Sequence, residues 1–372
     1  MSKTNFFVKH LKNINNFINN LLEKNLNKLN FKNLSFLFKN NKIILTFVAL
    51  FVVFISYLLL PTFYNQNDIS KVLKNGLKDK LDLNFKFSQK IKYNFFPRPH
   101  FTISDSTIVK DQDDLSKIKK IKIFVSLDNY FSFKNIEVKN LILENANFNL
   151  NKKNYGFFFN LLNKSSNDVN LTIKDSNIFF KNSADEVLFI NKILKMKYYY
   201  ETKEQKKIFY SENEIFNIPY SIKSFFNEDK SKIFSKIDID LMKLKIENEL
   251  HLNHDKKIGK SEFILNKSKY ITEYQIEKNY FNFQVSDKID QPNLNYKGKF
   301  NLKPFYATLE GALEEINLNY LFGSNAIISE LLKTEIFNNK NIDFNLNISA
   351  DKIFKNINFK NINLKSKIKD GL

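Results

Sequence analysis

From Leu83 onward the chain alternates apolar and polar residues with a period of two. The pattern is plain in LNFKF, FTISD, IKIFVSL, IEVKNLILENANFNL and VNLTIKDSNIFF, and returns in KIDIDLMKLKIENELHL. It recurs in YNFQV from Tyr280 and most strictly in NIDFNLNISA, from Asn341 to Ala350. Successive side chains of a strand point to opposite faces, so each run predicts a strand with one apolar face. Two stretches carry helical spacing instead. Asp68 to Leu81 places Ile69, Val72, Leu73, Leu77 and Leu81 on one stripe, with Asn67 or Asp68 available as a cap, and Ala326 to Ile336 reads as a second helix. Short polar pairs precede strands at Asp105-Ser106, Asn145-Ala146, Asp175-Ser176-Asn177 and Asp370-Gly371. They predict turns, because Asx and Gly tolerate turn geometry.

The pattern before these elements is different. Ile43 to Leu60 contains no charge, follows Lys42 and is closed by Pro61. As a helix it would be about 27 Å long, close to the hydrocarbon thickness of a bilayer, and only a helix satisfies its own backbone there. A charged leader of this length without a small-residue exit predicts an uncleaved anchor, and Tyr57 and Tyr64 near the exit favour a membrane span over a buried core helix. Residues 1–42 carry Lys3, Lys9, Lys12, Lys24, Lys28, Lys32, Lys39 and Lys42 against one acid, Glu23, whereas Asp68, Lys71, Lys74, Lys78 and Asp79 mix the signs beyond the span. The positive-inside rule therefore puts the N-terminus in the cytoplasm. In that arm Phe7, Leu11, Ile14, Ile18, Leu21 and Leu29 fall near helical spacing, as in an amphipathic helix lying on an anionic leaflet or packed on another protein. Three parts result: a basic arm over 1–42, an anchor over 43–61 and a β-rich domain over 62–372.

Composition changes this picture little. The net charge of +19 normally raises nucleic acid as a partner, but Arg98 is the only arginine, and base reading or bidentate phosphate clamping uses arginine freely. Lys, Asn, Ile and Phe are abundant along the whole chain, a bias that looks like a coding preference, and no nucleic-acid partner is predicted. With no Cys there is no disulfide, thiolate nucleophile or Cys-ligated metal. His251 and His254 stand three apart in a predicted strand, so their rings diverge and no metal site is predicted. His100 has no partner set, while the pairs Glu314-Glu315 and Asp113-Asp114 are adjacent and read as solvated surface. Only 7 glycines are present and no phosphate loop or nucleophile motif occurs, so neither an enzyme nor a cofactor is predicted. Tyr198-Tyr199-Tyr200 among lysines could stack on a single strand of nucleic acid, but a strand edge with aromatic cover is the simpler reading.

A weak internal repeat joins FKNIEVKNLIL, Phe133 to Leu143, with FKNINFKNINL, Phe354 to Leu364, as two copies of a strand-turn-strand module. Several pieces together resemble the AsmA family of inner-membrane-anchored periplasmic proteins. They are the anchor ending at Leu60-Pro61, DISKVLKNGLKDKL, KIKYNFFPRPHFTISDSTI with Pro97 and Pro99, IKIFVSLDNYFSFKNIEVKNLILENANFNL, NYGFFFNLL from Asn154, and the closing KIFKNINFKNINLKSKIKDG. The resemblance covers the first half and the last thirty or so residues; from Tyr198 to Phe322 it rests on alternation alone. Family members often have Gly where this chain has Lys80 to Asp82 and Ser176 to Asn177. Their pattern also continues into another strand beyond Leu372, which implies a truncated member or an incomplete coding sequence.

The resemblance implies a mainly β fold: one N-terminal transmembrane helix, a short amphipathic helix, then a long curved, mostly antiparallel sheet forming a groove or open barrel. It places the protein in the inner membrane of a Gram-negative-type bacterium, single-pass, with its bulk in the periplasm. It also implies phospholipid as partner, held by its acyl chains for transport toward the outer membrane and envelope biogenesis. The groove candidates are the apolar positions of alternating runs: Ile237, Ile239, Leu241, Phe281, Phe283, Val285, Ile342, Phe344, Leu346 and Ile348. The alternative is a non-enzymatic assembly factor or scaffold that engages other envelope proteins along a sheet edge. Continuity of the apolar face separates the two.

Overall fold

The computed structural model describes residues 42–372 apart from 89, 111–112, 129, 133, 135, 152, 165–168, 183, 228–230, 253–256, 266–267, 278–279, 287–293, 303–304, 319–332, 334–338 and 370–372. The predicted basic arm, save Lys42, and nearly all of the predicted helix Ala326 to Ile336 therefore lie outside the described residues, as does His254.

The chain divides into two units at Phe63/Tyr64. In the first, α1 (Lys42–Leu59) runs into a 3₁₀ turn over Leu60–Phe63, where Pro61 has no N–H to continue an α-helical ladder. The Thr62 hydroxyl donates to the Leu59 carbonyl at 2.6 Å, satisfying one of the helix's last acceptors. Thr46–Phe63 is long and apolar enough to cross a membrane, and Phe47, Leu50, Phe51, Val53 and Phe54 are exposed along it, which fits a single-pass membrane protein.

The second unit opens with α2 (Gln66–Leu81), whose stripe of Ile69, Leu73, Leu77 and Leu81 is buried as its spacing predicts. The cap lies earlier than predicted. Asn65 is extended and its side-chain oxygen accepts from Asn67 N–H at 2.9 Å, so Asn67 and Asp68 belong to the first turn. At the other end Asp82 takes the left-handed conformation (φ 57°) and its N–H bonds the Lys78 carbonyl at 2.9 Å, a position where glycine is the usual solution.

Among the described residues eighteen strands follow in one mixed, open, curved sheet. They are β1 (Asn84–Phe87), β2 (Lys92–Asn94), β3 (His100–Lys110), β4 (Asp113–Val125), β5 (Val138–Leu150), β6 (Asn170–Lys181), β7 (Val187–Glu201), β8 (Lys206–Ile215) and β9 (Ile218–Phe226). The rest are β10 (Lys232–Ile239), β11 (Leu244–His251), β12 (Lys257–Leu265), β13 (Ser268–Glu277), β14 (Tyr280–Ser286), β15 (Leu294–Leu302), β16 (Phe305–Ile316), β17 (Ile342–Ile353) and β18 (Asn356–Ile368). β1 and β2 both pair with β3 along different parts of its length, and from β3 each strand pairs with its successor. Only β5–β6 and β16–β17 are parallel; the first crossover carries α3 (Phe157–Lys164), as parallel neighbours require a long connection. The sheet curls far enough that Asn339 and Asn341, leading into β17, donate to the Leu188 carbonyl on β7 at 3.0 and 3.3 Å.

Three of the predicted turns are not turns. Asp105, Asn145 and Asp175 have φ of 48°, 55° and 48°, but they sit in the middle of β3, β5 and β6. The ladder skips each in turn. Ser104 and Ser106 face Lys120 and Ile118, which face Glu144 and Ala146, and Lys174 and Ser176 then face Lys195 and Ile193. The result is a crease running from β3 to β7. Each skipped residue changes the alternation, so that Ile103 and Ser106, Leu143 and Ala146, and Ile173 and Ser176 are buried on one face although three apart. The residue after each left-handed one is small, and the Ser176 hydroxyl ties the crease by donating to Lys174 O at 2.7 Å and accepting from Ala146 N–H at 2.9 Å.

The sequence repeat occupies matching hairpins. In β4–β5, Leu141 faces Ile123 and Leu143 faces Ile121; in β17–β18, Ile362 faces Ala350 and Leu364 faces Ile348. Both hairpins have a register shift just before the turn, at Phe124/Val125 and Lys352/Ile353.

Candidate functional site

Following directly opposed residues from strand to strand shows how far one face extends. Phe101 of β3 faces Ile123, then Leu141, Leu171, Tyr198, Phe209 and Ser224 of β9. The same row continues through Ser235, Asn248, Ser261, Thr272, Val285, Tyr296, Gly311 and Ile348 to Leu364 of β18. Opposed residues in a ladder share a face, so a single inner face is continuous from β3 to β18.

The two ends of that face differ in cover. Over β3 to β7 it is sealed, while Phe209 of β8 and Ile222 of β9 are half-buried. α2 lies so close that a Cβ on Gly76 would stand 3.1 Å from Val138 Cγ2 of β5. α3 brings Phe157 and Phe158 to ring distances of 6.1 and 5.2 Å from Phe148, and its Phe158 carbonyl accepts the Tyr198 hydroxyl at 3.0 Å. Phe101, Ile123, Leu141, Leu171 and Tyr198 are consequently at most 1% exposed. Over β10 to β17 the apolar positions Ile237, Ile246, Leu250, Phe281, Phe283, Leu309, Phe344 and Leu346 are only half-buried.

Nine of the ten groove candidates lie on this face or at its register positions. Ile237 pairs with Ile246, Ile239 with Leu244, Phe281 with Phe300, Phe283 with Gly298, and Val285 with Thr272. Ile342, Phe344, Leu346 and Ile348 face Phe305, Ala307, Leu309 and Gly311 on the parallel neighbour. Ile348 is set apart by burial, packing with Leu313, Ile316 and Ala350 in a small core. Leu241 does not belong to the set. The run KIDIDLMKLKIENELHL is two strands joined by a 3₁₀ turn over Asp240–Met242, closed by the left-handed Lys243, and Leu241 projects from that turn, 46% exposed.

The inner face is not wholly apolar. Ser224, Ser235, Asn248, Ser261 and Thr272 follow one another across β9 to β13 as a polar ladder. Ser224 donates to Ser235 Oγ at 2.8 Å, and Asn248 Oδ1 accepts from both Ser261 Oγ at 2.7 Å and Tyr274 Oη at 2.6 Å. A second group joins Ser211, Asn213, Asn191 and Tyr220, whose hydroxyl donates to Asn191 Oδ1 at 2.7 Å. Reading the alternation one strand at a time gives no sign of this ladder, since Ser and Thr also sit at apolar-phase positions as ordinary strand residues. Two residues to one side of it runs an apolar lane: Phe226, Ile233, Leu250, Gly259, Tyr274, Phe283, Gly298, Leu309 and Leu346.

Burial pushes the Tyr220 phenol up from about 10 to about 12. A raised phenol pKa means the fold holds the neutral form, so its contribution is whole below pH about 10 and drains away between about 10 and 12. At most about 2.7 kcal/mol is lost over that window, at 1.36 kcal/mol per pKa unit. Tyr220→Phe should be about 1 kcal/mol less stable than the parent near neutral pH, for want of the hydrogen bond to Asn191. The difference should vanish or reverse by pH about 12, as read from urea melts at each pH.

The remaining chemical candidates stay dispersed. His251 Nε2 lies 3.1 Å from Glu249 Oε1 on its own strand, and Lys232 holds the same carboxylate at 2.6 Å and keeps it below the usual range. His100 is buried, stacks on Phe124 and bonds the Arg98 carbonyl through Nδ1 at 2.7 Å. Asp114 pairs with Lys86 and Glu315 with Lys352. Among the described residues no three His, Asp or Glu groups are placed to hold a metal. Tyr198 lies within β7 between Leu171 of β6 and Phe209 of β8, whereas Tyr199 and Tyr200 pair with β8 alone; the Tyr198 phenol is raised well above its ordinary value by complete burial. No protein-family model matches the chain, and no curated protein is significantly similar to it.

Proposed function

We propose that the protein is an AsmA-like, non-enzymatic lipid carrier anchored in an inner membrane, with residues 1–42 cytoplasmic and the sheet periplasmic. The inner face between β10 and β17 takes the acyl chains of a phospholipid moving toward the outer membrane. The observation that carries this reading is the register-continuous apolar lane, which is half-buried from Phe283 through Gly298 and Leu309 to Leu346, although Phe226, Ile233 and Tyr274 earlier along it are buried. Keeping a sixteen-carbon chain out of water is worth about 12 kcal/mol at about 0.8 kcal/mol per CH₂. The polar ladder at Asn248 and Ser261 directs the chain along the lane beside it, since an alkyl chain over the ladder offers those groups no hydrogen bond.

Phe344 and Asn345 test it. Phe344 faces Ala307 on the inner side, while Asn345 points to the other, where its amide donates to the Tyr306 hydroxyl at 2.9 Å. A photo-crosslinking residue at 344 is expected to capture phospholipid in cells and one at 345 is not. Equal capture from both positions would reduce the signal to general membrane contact. The assembly-factor reading has one observation of its own: Phe359, on the terminal strand β18, is 58% exposed. Capture of a protein strand at 359, with no lipid at 344, would favour it.

A further inference from the structure

We infer that the end of the sheet carrying the β2–β3 and β4–β5 connections is a membrane-seating surface that rests on an anionic phospholipid bilayer. Tyr64, the first residue of the sheet-bearing unit, follows the apolar span Thr46–Phe63 directly in sequence. With consecutive Cα atoms about 3.8 Å apart, whatever holds Tyr64 stays close to the point where the chain leaves the bilayer. Its hydroxyl donates to the Tyr130 carbonyl in the β4–β5 connection, and the Tyr130 side chain is itself fully buried in the sheet-bearing unit. Next to it Gln66 Oε1 accepts from Ile91 N–H at 3.0 Å, tying the approach to β2 to the first turn of α2. The two connections leave the sheet side by side, because His100 faces Phe124 and Val125 N–H reaches the Pro99 carbonyl at 3.4 Å.

What these connections display is what an interface takes up. Phe96 is 76% and Phe131 81% exposed, with Phe95 and Leu127 exposed beside them. Large apolar side chains grouped at one end are unusual on a surface that meets only water. Lys90, Lys92, Arg98 and Lys134 are exposed around them, against Asp128 and a Glu137 carboxylate that Lys80 and Lys139 already pair at 3.2 and 2.9 Å. Aromatic tips with a cationic surround match the headgroup region of an anionic leaflet, the tips entering the headgroup and acyl boundary to about 5–10 Å and each nearby cation adding about 1 kcal/mol. The chain's only arginine sits in this set, its guanidinium 5.9 Å from the Phe124 ring centre. This surface depends on α1 crossing a bilayer and not on the acyl lane, so either reading can fail alone.

The natural absence of cysteine allows single environment-sensitive labels on the full chain. Phe96→Cys, Phe131→Cys, Phe51→Cys and Asp113→Cys would each be labelled and reconstituted into phosphatidylcholine vesicles containing phosphatidylglycerol. Asp113 faces Lys110 at the opposite end of β3–β4, and Phe51 lies within α1. Shallow spin-labelled lipids are expected to quench the labels at 96 and 131 several-fold more than the label at 113, and less so when phosphatidylglycerol is omitted. A label at 96 as unquenched as that at 113, with the label at 51 quenched, would overturn the seating surface. So would crosslinking of position 96 to a second copy in place of lipid quenching.

Discussion

Leu141→Asp is expected to unfold the sheet-bearing unit, whereas Phe344→Asp, at a corresponding inner-face position on β17, leaves it folded. Leu141 has no exposed surface and faces Ile123 on one side and Leu171 on the other, both sealed beneath the helices. A carboxylate there has neither water nor a cation, and an unpaired buried charge costs more than about 4–5 kcal/mol, a large part of the about 5–15 kcal/mol that holds a domain together. Phe344 is half-buried, so a carboxylate at that position keeps part of its hydration and costs about 1–2 kcal/mol. The measurements are a circular-dichroism melt for each variant and lipid capture by a crosslinker at Leu346 in the Phe344→Asp background. Retained melting with lost capture is the signature of an open lane. Unfolding of both variants would mean the face is sealed from end to end, and the acyl reading would lose its physical support.

That contrast between sealed and open parts of one face was only half legible in the sequence. Alternation marks the strands because side-chain direction has a strict period of two, so NIDFNLNISA announces β17 and the apolar phase of Phe344 in the same breath. Alternation is blind to what lies across the face. Leu141 and Phe344 look alike along their own strands, and only the landing of α2 and α3 separates them. The crease shows a second limit. Asp105, Asn145 and Asp175 read as turn residues, and each does take the left-handed conformation that Asp82 takes at the end of α2, but in mid-strand and without turning the chain. An Asx residue that ends a strand and one that creases it have the same local chemistry, and only the partner strand, by skipping opposite each, tells them apart. The helix cap moved to Asn65 for a related reason: several Asx residues lie together, and the one left extended is chosen by packing. Leu241 was misplaced because DLMK has no Gly or Pro to announce a turn, the left-handed position falling instead to Lys243.

Gly259→Ala should destabilise the open part of the sheet although alanine in a strand is ordinarily better than glycine by about 0.5–1 kcal/mol. Gly259 faces Tyr274, and a Cβ on it would lie 2.1 Å from Cζ, 2.3 Å from the hydroxyl and 2.6 Å from Cε1 of that ring. All three atoms belong to one side chain, so the ring has to leave. It would forfeit its 4.7 Å stack on Phe281 and its 2.6 Å hydrogen bond to Asn248 Oδ1, which lies in the polar ladder. Overpacking at about 1–3 kcal/mol and a lost hydrogen bond at about 0.5–1.5 kcal/mol together exceed the gain in backbone entropy, for a net loss of about 2–3 kcal/mol. If the ring is the whole obstacle, Gly259→Ala combined with Tyr274→Ala should be more stable than the sum of the single changes by about 2 kcal/mol. Gly298 makes the control. Its Cβ would meet Phe283 Cζ at 2.2 Å but also the backbone carbonyl of Thr308 at 2.7 Å, which no side-chain deletion removes, so Gly298→Ala with Phe283→Ala should recover only part of its loss. Urea melts of the two double-mutant cycles decide the matter. Additivity at Gly259 would mean that Tyr274 does not lie over it, and the lane drawn through that pair would be wrong.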